Sequence, residues 1–303
     1  MAVVLAPASH GKIRESEFGS LDLRVTQCSQ DLLQSWSSKR EKTPVVVNVL
    51  LAQVPISWNV ANNVTTVRSV LDEANAQDLV VLPEGMISGY DDQLSGLSAL
   101  DPRVVSDAID VIAETVRQKN VHLFCGTLLF DGGAWSNVVL YFSPEGEHHV
   151  YRKVNLATHE RSQLVAGSVL ALFDLTFDEQ SVVVSPQLCR EIRFPDQWHC
   201  PAREGAQLFV YLANAANPEE SMDVWRSHLI SRAAETQRFV IAANVAHPDR
   251  HCPTMVIAPS GEVIAEAQSP EPTSIRATID VASVSDWYIS QQRSDLVRIS
   301  YEI

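Results

Sequence analysis

The feature that most limits the fold of this chain is an alternation of apolar runs and helical stripes, which begins after Pro44 and occurs in both halves. In the first half, the β-branched run 45–51 predicts a buried strand, and an apolar stripe with helical spacing follows at Val60, Val64, Val67, Leu71 and Ala74. In the second half, strands are predicted at 182–188, 208–212 and 239–243. This pattern predicts an α/β fold whose helices cover the outer faces of sheets.

The remaining segments extend the same alternation. Further strands are predicted at 79–82, 121–130, 137–142, 150–152, 254–258, 263–265 and 275–279. One more helix begins at Asp101-Pro102 and carries the apolar stripe Val104, Ala108, Val111, Ile112 and Thr115. The helix of the second half is striped by Met222, Trp225, Leu229 and Ala233, and Ser221 is placed to cap it. No linker divides residues 45–303, so we predict one domain there.

Residues 1–44 differ from the rest in composition. They contain serine-rich patches and nearly balanced charges, so the acidity of the chain lies in the remainder. We expect an N-terminal extension, ordered in part and lying over the domain surface. A dimer arm or a lid is the alternative.

Charge and cysteine usage exclude several classes of function. The net charge is −14, which argues against a nucleic-acid partner because phosphate backbones need clustered lysine and arginine. The five cysteines are widely spaced without a Cys-x-x-Cys pair, as expected for reduced thiols in the cytoplasm. The first residues lack the pattern of a signal peptide, and no apolar stretch is long enough to span a membrane. We therefore expect a cytoplasmic protein that does not bind membranes.

Three predicted strands end in residues that support acyl transfer. Glu84 follows the strand 79–82, Lys153 follows 150–152, and Cys189 follows 182–188. Taken singly, each has a more ordinary interpretation: a buried small side chain for the cysteine, a turn for the glutamate and a solvated strand end for the lysine. Together they form a candidate set of base, cation and nucleophile.

The same three segments resemble the motifs of the nitrilase, or carbon–nitrogen hydrolase, superfamily. Leu82-Pro83-Glu84 with Ser88-Gly89-Tyr90 resembles its glutamate motif, and the stretch 151–156 is similar to its Tyr-Arg-Lys-x-His-Leu motif, with Asn155 at the histidine position. The stretch 188–196 resembles its cysteine motif. The resemblance covers about residues 44–298, and further family-like positions occur at 232–237, 243–244 and 259–264. It implies a four-layer α-β-β-α sandwich and a cysteine-dependent hydrolase of the amidase-like branch.

The resemblance also implies a role for each residue. Cys189 would be the nucleophile, Glu84 the general base, and Lys153 the cation near the developing oxyanion, helped by the backbone N–H of Arg190. Glu160 stands where the family often places a second glutamate that orients the lysine or the substrate, although an exposed loop carboxylate is an equal alternative. Arg190 and Glu191 replace the usual aromatic residue and aspartate, which leaves the substrate open.

Other groups of reactive side chains are weaker candidates. The segment 247–252 contains His247, His251 and Cys252, but Pro248 interrupts the helix that a zinc pair would need, so a loop of the substrate pocket is favoured. His148 and His149 are expected to be exposed. A dyad of Cys189 with His199 is disfavoured by the glutamate and lysine motifs. We expect neither a metal nor a cofactor.

The leading functional hypothesis is hydrolysis of a C–N bond in a small amide, with release of ammonia or an amine. N-carbamoyl compounds and nitriles are the alternative substrates. An inactive scaffold or binding protein with the same fold is the alternative of another class, and the presence of all three central residues argues against it. The resemblance further implies a homodimer or a higher homo-oligomer, for which Trp198, Trp287 and Tyr288 are candidate anchors.

Overall fold

A computed structural model of the protein describes residues 44–293. The predicted extension lies outside this range except for Pro44, so its predicted order and its role remain predictions. The described part contains twelve strands in two six-stranded sheets. The strands are β1 Val46–Gln53, β2 Leu79–Val81, β3 His122–Asp131, β4 Ala134–Phe142, β5 His148–Arg152, β6 Phe173–Phe177, β7 Gln180–Leu188, β8 Leu208–Leu212, β9 Phe239–Ala243, β10 Met255–Ile257, β11 Val263–Glu266 and β12 Thr273–Asp280.

The two sheets have the same plan. The first has the order β12-β1-β2-β3-β4-β5, with β1, β2 and β3 parallel and the other pairs antiparallel. The second has the order β11-β10-β9-β8-β7-β6, with β7, β8 and β9 parallel and the others antiparallel. Each half of the sequence therefore forms one sheet, apart from β12, which returns to pair with β1.

Within residues 44–293, four α-helices cover the outer faces of the sheets. They are α1 Val60–Glu73, α2 Pro102–Lys119, α3 Asp196–Arg203 and α4 Met222–Thr236. Helices α1 and α2 pack on the first sheet, α3 and α4 pack on the second, and a third apolar cluster fills the space between the sheets. The order of layers is helix, sheet, sheet, helix, which confirms the predicted four-layer sandwich.

The helix boundaries follow local capping chemistry. The Asp101 carboxylate accepts a hydrogen bond from the backbone N–H of Arg103 at 2.9 Å, and Pro102 opens α2 as predicted. Ser221 occupies the N-cap position of α4, but its hydroxyl makes no capping hydrogen bond. The predicted stripe of α2 is partly wrong, because Val104 and Val111 are exposed while Val105, Ile109 and Val116 face the core.

The arrangement of the strands brings the predicted site residues to one edge of the sandwich. Strands β2 and β3 are parallel, and two antiparallel steps make β5 run in the same direction as β3. Glu84 and Lys153 therefore leave the first sheet at the same edge, as strand ends in a parallel arrangement do. In the described part of the chain, no helix has both the length and the apolar composition needed to cross a bilayer.

Candidate active site

A buried lysine bridges two buried carboxylates at this edge. Lys153 Nζ lies 2.9 Å from Glu84 Oε1 and 3.0 Å from Glu160 Oε1. All three side chains are 0% exposed. Burial of a single charge would be very costly, and it is tolerated here because the cation is paired and hydrogen-bonded. The exposed-loop interpretation of Glu160 is therefore wrong.

Asn137 and Tyr90 complete the hydrogen bonding of this cluster. The Asn137 amide, at Nδ2, donates to Glu84 Oε1 and to Glu160 Oε1, each at 2.7 Å, which uses both of its N–H bonds. The Tyr90 hydroxyl donates to Glu160 Oε1 at 2.8 Å. The backbone N–H of Ala157 donates to Glu160 Oε2 at 2.6 Å. Glu160 is thus held in place from several directions.

Glu84 is fixed by contacts that cross from one sheet to the other. Its Oε2 accepts a hydrogen bond from the backbone N–H of Asn214 at 3.0 Å, and its own N–H donates to the carbonyl of Ala213 at 3.3 Å. Both partners follow β8 of the second sheet. The backbone of Glu84 also passes close to Gly126 in β3, where an added Cβ would lie 2.5 Å from Glu84 Cα.

Cys189 lies at the end of β7 and begins a short 3₁₀ helix, Cys189–Arg193. Its backbone φ is +39°, in the left-handed region that residues other than glycine rarely adopt. The Tyr211 hydroxyl donates to the Cys189 carbonyl at 2.8 Å and helps to hold this conformation. Cys189 is partly exposed, unlike the other three cysteines in residues 44–293, and no disulfide joins these four.

The charges of the cluster shift the pKa of its members. Burial alone would lower the pKa of Lys153, but the carboxylates of Glu84 and Glu160 raise it well above its ordinary value. Burial would raise the pKa of Glu160, and the Lys153 charge and the hydrogen bond from Asn137 lower it instead. Lys153 is therefore a fixed cation at neutral pH, with Glu160 as its anionic partner.

The thiol of Cys189 responds to the same charges. Desolvation and the nearby charge of Glu84 raise its pKa well above the ordinary value, against the opposing effect of Lys153. At neutral pH the thiol is therefore protonated, and it needs a base to become a nucleophile. The charges of Glu84 and Lys153 therefore both act on the Cys189 thiol.

Glu191 lies in the 3₁₀ helix that begins at Cys189 and links the segment of Cys189 to the segment of Lys153. Its Oε2 accepts the backbone N–H of Leu188 at 2.7 Å, and its Oε1 accepts the N–H of Val154 at 2.8 Å and the Tyr151 hydroxyl at 2.8 Å. Burial raises the pKa of Glu191. The side chain faces the protein interior, so this departure from the usual motif is a structural contact.

Cys189 opens into a cavity of about 400 Å³. Tyr90, Arg190, Trp225 and His251 are among its lining residues. The loop 247–252 therefore contributes to a cavity beside the cysteine, as predicted, and His247 lines the adjoining cavity. Within residues 44–293, no three His, Cys, Asp or Glu side chains are grouped so that they could hold a metal ion.

Some residues of this site were not predicted from the sequence. Asn137 and Asn214 belong to no motif that the sequence analysis recognised, and Tyr90 was noted only as part of the glutamate motif.

His199 lies 3.7 Å from Glu235 rather than in the cavity with Cys189. His148 and His149 are exposed, as predicted. Trp198 lies in α3, is 0% exposed and packs in the core against Phe209, so its prediction as an interface anchor is wrong.

Comparison with known proteins finds hydrolases of C–N bonds among those similar to this chain. The model of the carbon-nitrogen hydrolase family matches residues 48–289. A 2-oxoglutaramate amidase of Bacillus subtilis is 31% identical over 69% of this chain and 80% of its own length. The omega-amidase NIT2 of Danio rerio is 27% identical over 82% of this chain and 96% of its own length.

A solved structure shows the same fold. A mutant amidase of Nesterenkonia AN1, described as a member of the nitrilase superfamily, superimposes with a TM-score of 0.71 at 20% sequence identity. The match covers 82% of this chain and 95% of the other. The predicted resemblance is confirmed by the family match, which spans most of the domain: the chain belongs to the carbon–nitrogen hydrolase family.

Proposed function

We propose that this carbon–nitrogen hydrolase cleaves a small amide through a thioester on Cys189. The observation that carries the proposal is the buried Lys153 shared by Glu84 and Glu160, with Cys189 in the same electrostatic environment. A cavity of about 400 Å³ beside Cys189 suits a small molecule.

The first step would form the thioester. Glu84 takes the proton of the Cys189 thiol as the sulfur attacks the amide carbonyl carbon. Negative charge develops on the carbonyl oxygen, where Lys153 and the backbone N–H of Arg190 stabilise it. Glu84 then gives the proton to the nitrogen, the C–N bond breaks, and ammonia or an amine leaves.

The second step would release the acid. Water enters the vacated space, and Glu84 accepts its proton as the oxygen attacks the thioester carbonyl. The C–S bond breaks, the carboxylic acid leaves, and the proton returns to the sulfur. Glu160, Asn137 and Tyr90 keep Lys153 in position through both steps without contacting the reacting atoms themselves.

The relatives support an amide as the substrate, because the two proteins compared by sequence, from Bacillus subtilis and Danio rerio, are both amidases. N-carbamoyl compounds and nitriles remain alternative substrates. An inactive scaffold is disfavoured, because a buried cluster of one cation and two carboxylates carries a desolvation cost that a scaffold has no need to bear.

The assembly and the location of the protein remain proposals as well. We expect a homodimer or a higher homo-oligomer, with Trp287 and Tyr288 as anchors, because they are 48% and 54% exposed in this chain. Light scattering at micromolar concentration would test this, and a strictly monomeric result would contradict it. We expect a cytoplasmic protein on the grounds of its reduced thiols.

The test of the proposed function is release of ammonia from a panel of small amides, carbamoyl amino acids and nitriles. Cys189→Ala should abolish release from the amides and leave the thermal midpoint nearly unchanged, whereas Cys200→Ala, the matched control, should stay active. Intact-mass measurement should show an acyl adduct on the wild type and none on Cys189→Ala. Glu84→Gln should bind the amide and release no ammonia. An active Cys189→Ala protein would overturn the mechanism.

A further inference from the structure

The cavity that contains Cys189 adjoins a second cavity of about 550 Å³. Both are lined by Tyr90, Asp92, Gln93 and Asn214, so the two spaces share these residues as a common wall. Cys189 lines only the first of them. A substrate that reacts at Cys189 therefore has room to extend past this wall into the second cavity.

The contacts of Glu84 indicate which part of a substrate faces the second cavity. Glu84 Oε1 accepts hydrogen bonds from Lys153 Nζ at 2.9 Å and from Asn137 Nδ2 at 2.7 Å. Within residues 44–293, Oε2 accepts only the backbone N–H of Asn214, at 3.0 Å, and keeps a lone pair for proton transfer. In the proposed reaction Glu84 therefore protonates the departing nitrogen from the side of Asn214. A substituent on that nitrogen points towards the second cavity, away from the acyl group at Cys189.

An aromatic ring in the second cavity is held in a fixed orientation. The indole N–H of Trp58 donates to Asp91 Oδ2 at 2.8 Å. The backbone N–H groups of Gln93 and Ser95 donate to Asp91 Oδ1, each at 3.0 Å, and fix the aspartate in turn. The ring also packs directly on Gly96, where an added Cβ would collide with the indole. Because the ring is already ordered, a ligand that packs on it loses little entropy of the protein on binding.

The charge of the second cavity is negative. Burial alone would raise the pKa of Asp91, but its hydrogen bonds, above all those from Ser95, lower the pKa instead. Asp92 is exposed, and its side chain forms no hydrogen bond or ion pair with the residues of 44–293. No lysine or arginine within that range lines the cavity. His247 Nδ1 accepts the backbone N–H of Asp249 at 3.1 Å, which only a neutral ring can do.

We propose that the second cavity binds the amine part of the substrate, and that this amine is an alkylamine with a second, positively charged amino group. An ammonium ion is attracted both by an aromatic face and by carboxylates, and this cavity offers it Trp58 and Asp92 without a competing cation. The inference rests on the proposed function, because it needs the amide carbonyl to lie at Cys189.

The preferred substrates are then N-substituted amides. The sulfur of Cys189 attacks the carbonyl carbon, Glu84 passes the thiol proton to the amide nitrogen, the C–N bond breaks, and a diamine leaves instead of ammonia. Water then releases the acid from the thioester. Primary amides fill only the first cavity, so they react by the same steps with a lower kcat/KM.

The test compares three amides of butanoic acid that differ only in the amine. N-(3-aminopropyl)butanamide is cationic at neutral pH, N-butylbutanamide is its neutral counterpart of the same length, and butanamide lacks the substituent. Release of butanoate is measured for all three. Wild type should show the highest kcat/KM with the cationic amide, about tenfold above the butyl amide, and added salt should reduce that ratio.

Variants of the second cavity test the two groups that would hold the ammonium. Asp92→Asn keeps the size of the side chain and removes its charge, so it should lower the ratio of kcat/KM for the cationic and the butyl amide about 2- to 5-fold. Trp58→Leu should lower the same ratio about tenfold. Asp107→Asn, which removes an exposed carboxylate from α2, is the matched control and should leave the ratio unchanged.

Three outcomes would overturn the inference while the proposed function stands. The first is a wild type that hydrolyses butanamide faster than both N-substituted amides. The second is an equal kcat/KM for the cationic and the butyl amide. The third is a preference for N-butanoyl-β-alanine, whose amine part carries a negative charge.

Binding measurements separate this inference from the chemistry. In the Cys189→Ala protein, calorimetry should give a lower Kd for N-(3-aminopropyl)butanamide than for N-butylbutanamide, and adding Asp92→Asn should bring the two values closer. If wild type releases butanoate from none of the amides, the proposed function fails, and the calorimetric comparison alone decides whether the second cavity binds the ammonium. Equal Kd values for the two amides would overturn the inference.

Discussion

Glu191 Oε1 lies 2.8 Å from the backbone nitrogen of Val154, the residue that follows Lys153. The other oxygen of the same carboxylate accepts the N–H of Leu188, the residue before Cys189. One buried side chain therefore fixes the spacing between the segment of the cation and the segment of the nucleophile. The pattern of the sequence marked Glu191 only as an unusual neighbour of the cysteine.

Replacing this carboxylate should disturb both segments. In Glu191→Gln an amide N–H₂ faces backbone N–H donors, so we expect a loss of about 2 kcal/mol in the free energy of unfolding and at least a tenfold loss of ammonia release. Urea unfolding and amide hydrolysis measure the two effects. The exposed Glu262→Gln is the control. Wild-type stability in Glu191→Gln would contradict the linking role.

Lys153→Met tests whether the buried lysine acts on the reaction. The change keeps the side-chain length and removes the cation, so kcat/KM for an amide should fall far more than tenfold. It also leaves Glu84 and Glu160 together without a cation, so stability should fall by about 3 kcal/mol or more. Adding Glu160→Gln should restore part of that stability and none of the activity. If Lys153→Met alone keeps more than about a tenth of wild-type kcat/KM, a loss below ~1.4 kcal/mol, the oxyanion role is wrong.

Gly126→Ala tests the close packing behind the general base. The new methyl group would lie 2.5 Å from Glu84 Cα and 2.6 Å from the nitrogen of Gly85, both of them backbone atoms. We expect Glu84 to shift, with most of the activity lost and a stability cost of about 1–3 kcal/mol. Gly132→Ala is the control for activity. Gly132 lies at a turn where nothing comes within 4 Å of the added methyl group, so this variant should hydrolyse amides as the wild type does. Full activity in Gly126→Ala would show that Glu84 tolerates displacement.

His122 should make stability depend on pH. Burial lowers its pKa from 6.5 to about 4. Between these values the unfolded chain binds more protons than the folded protein, so stability is complete above about pH 6.5 and falls as the pH drops towards 4. The contribution is at most about 3 kcal/mol. Urea unfolding across this range should show a shallower pH slope for His122→Phe than for wild type. Parallel slopes would refute the assignment.

The sequence pattern predicted most strands because buried parallel strands are continuous apolar runs. Strands β8 and β9 match their predicted ranges fully. Strand β6 was missed, because Phe173–Phe177 is short and alternates apolar with polar residues at the edge of its sheet. The stripe of α2 was shifted because Val104 and Val111 obey helical spacing and yet face solvent.

The sequence predicted the central residues of the site but not the residues that hold them in place through hydrogen bonds. Glu84, Lys153 and Cys189 stand at strand ends, a position that can be inferred from the chain itself. Asn137 looks like any polar residue within a strand, and only the packing of the two sheets turns it towards both glutamates. The backbone N–H of Asn214 has no signature in a sequence at all. Trp198 was misassigned because its amino-acid type fits an interface and a core equally well.

The division of the site between two sheets has a consequence for folding. Glu84 and Lys153 belong to the first sheet, Cys189 to the second, and the bonds from Glu84 to Ala213 and Asn214 join them. Apart from β12, which returns from the C-terminal end to pair with β1, each half of the chain can form its own hydrogen-bonded ladder before the halves meet. During refolding, secondary structure should therefore return first, and the ability to release ammonia should return only when the two halves have docked.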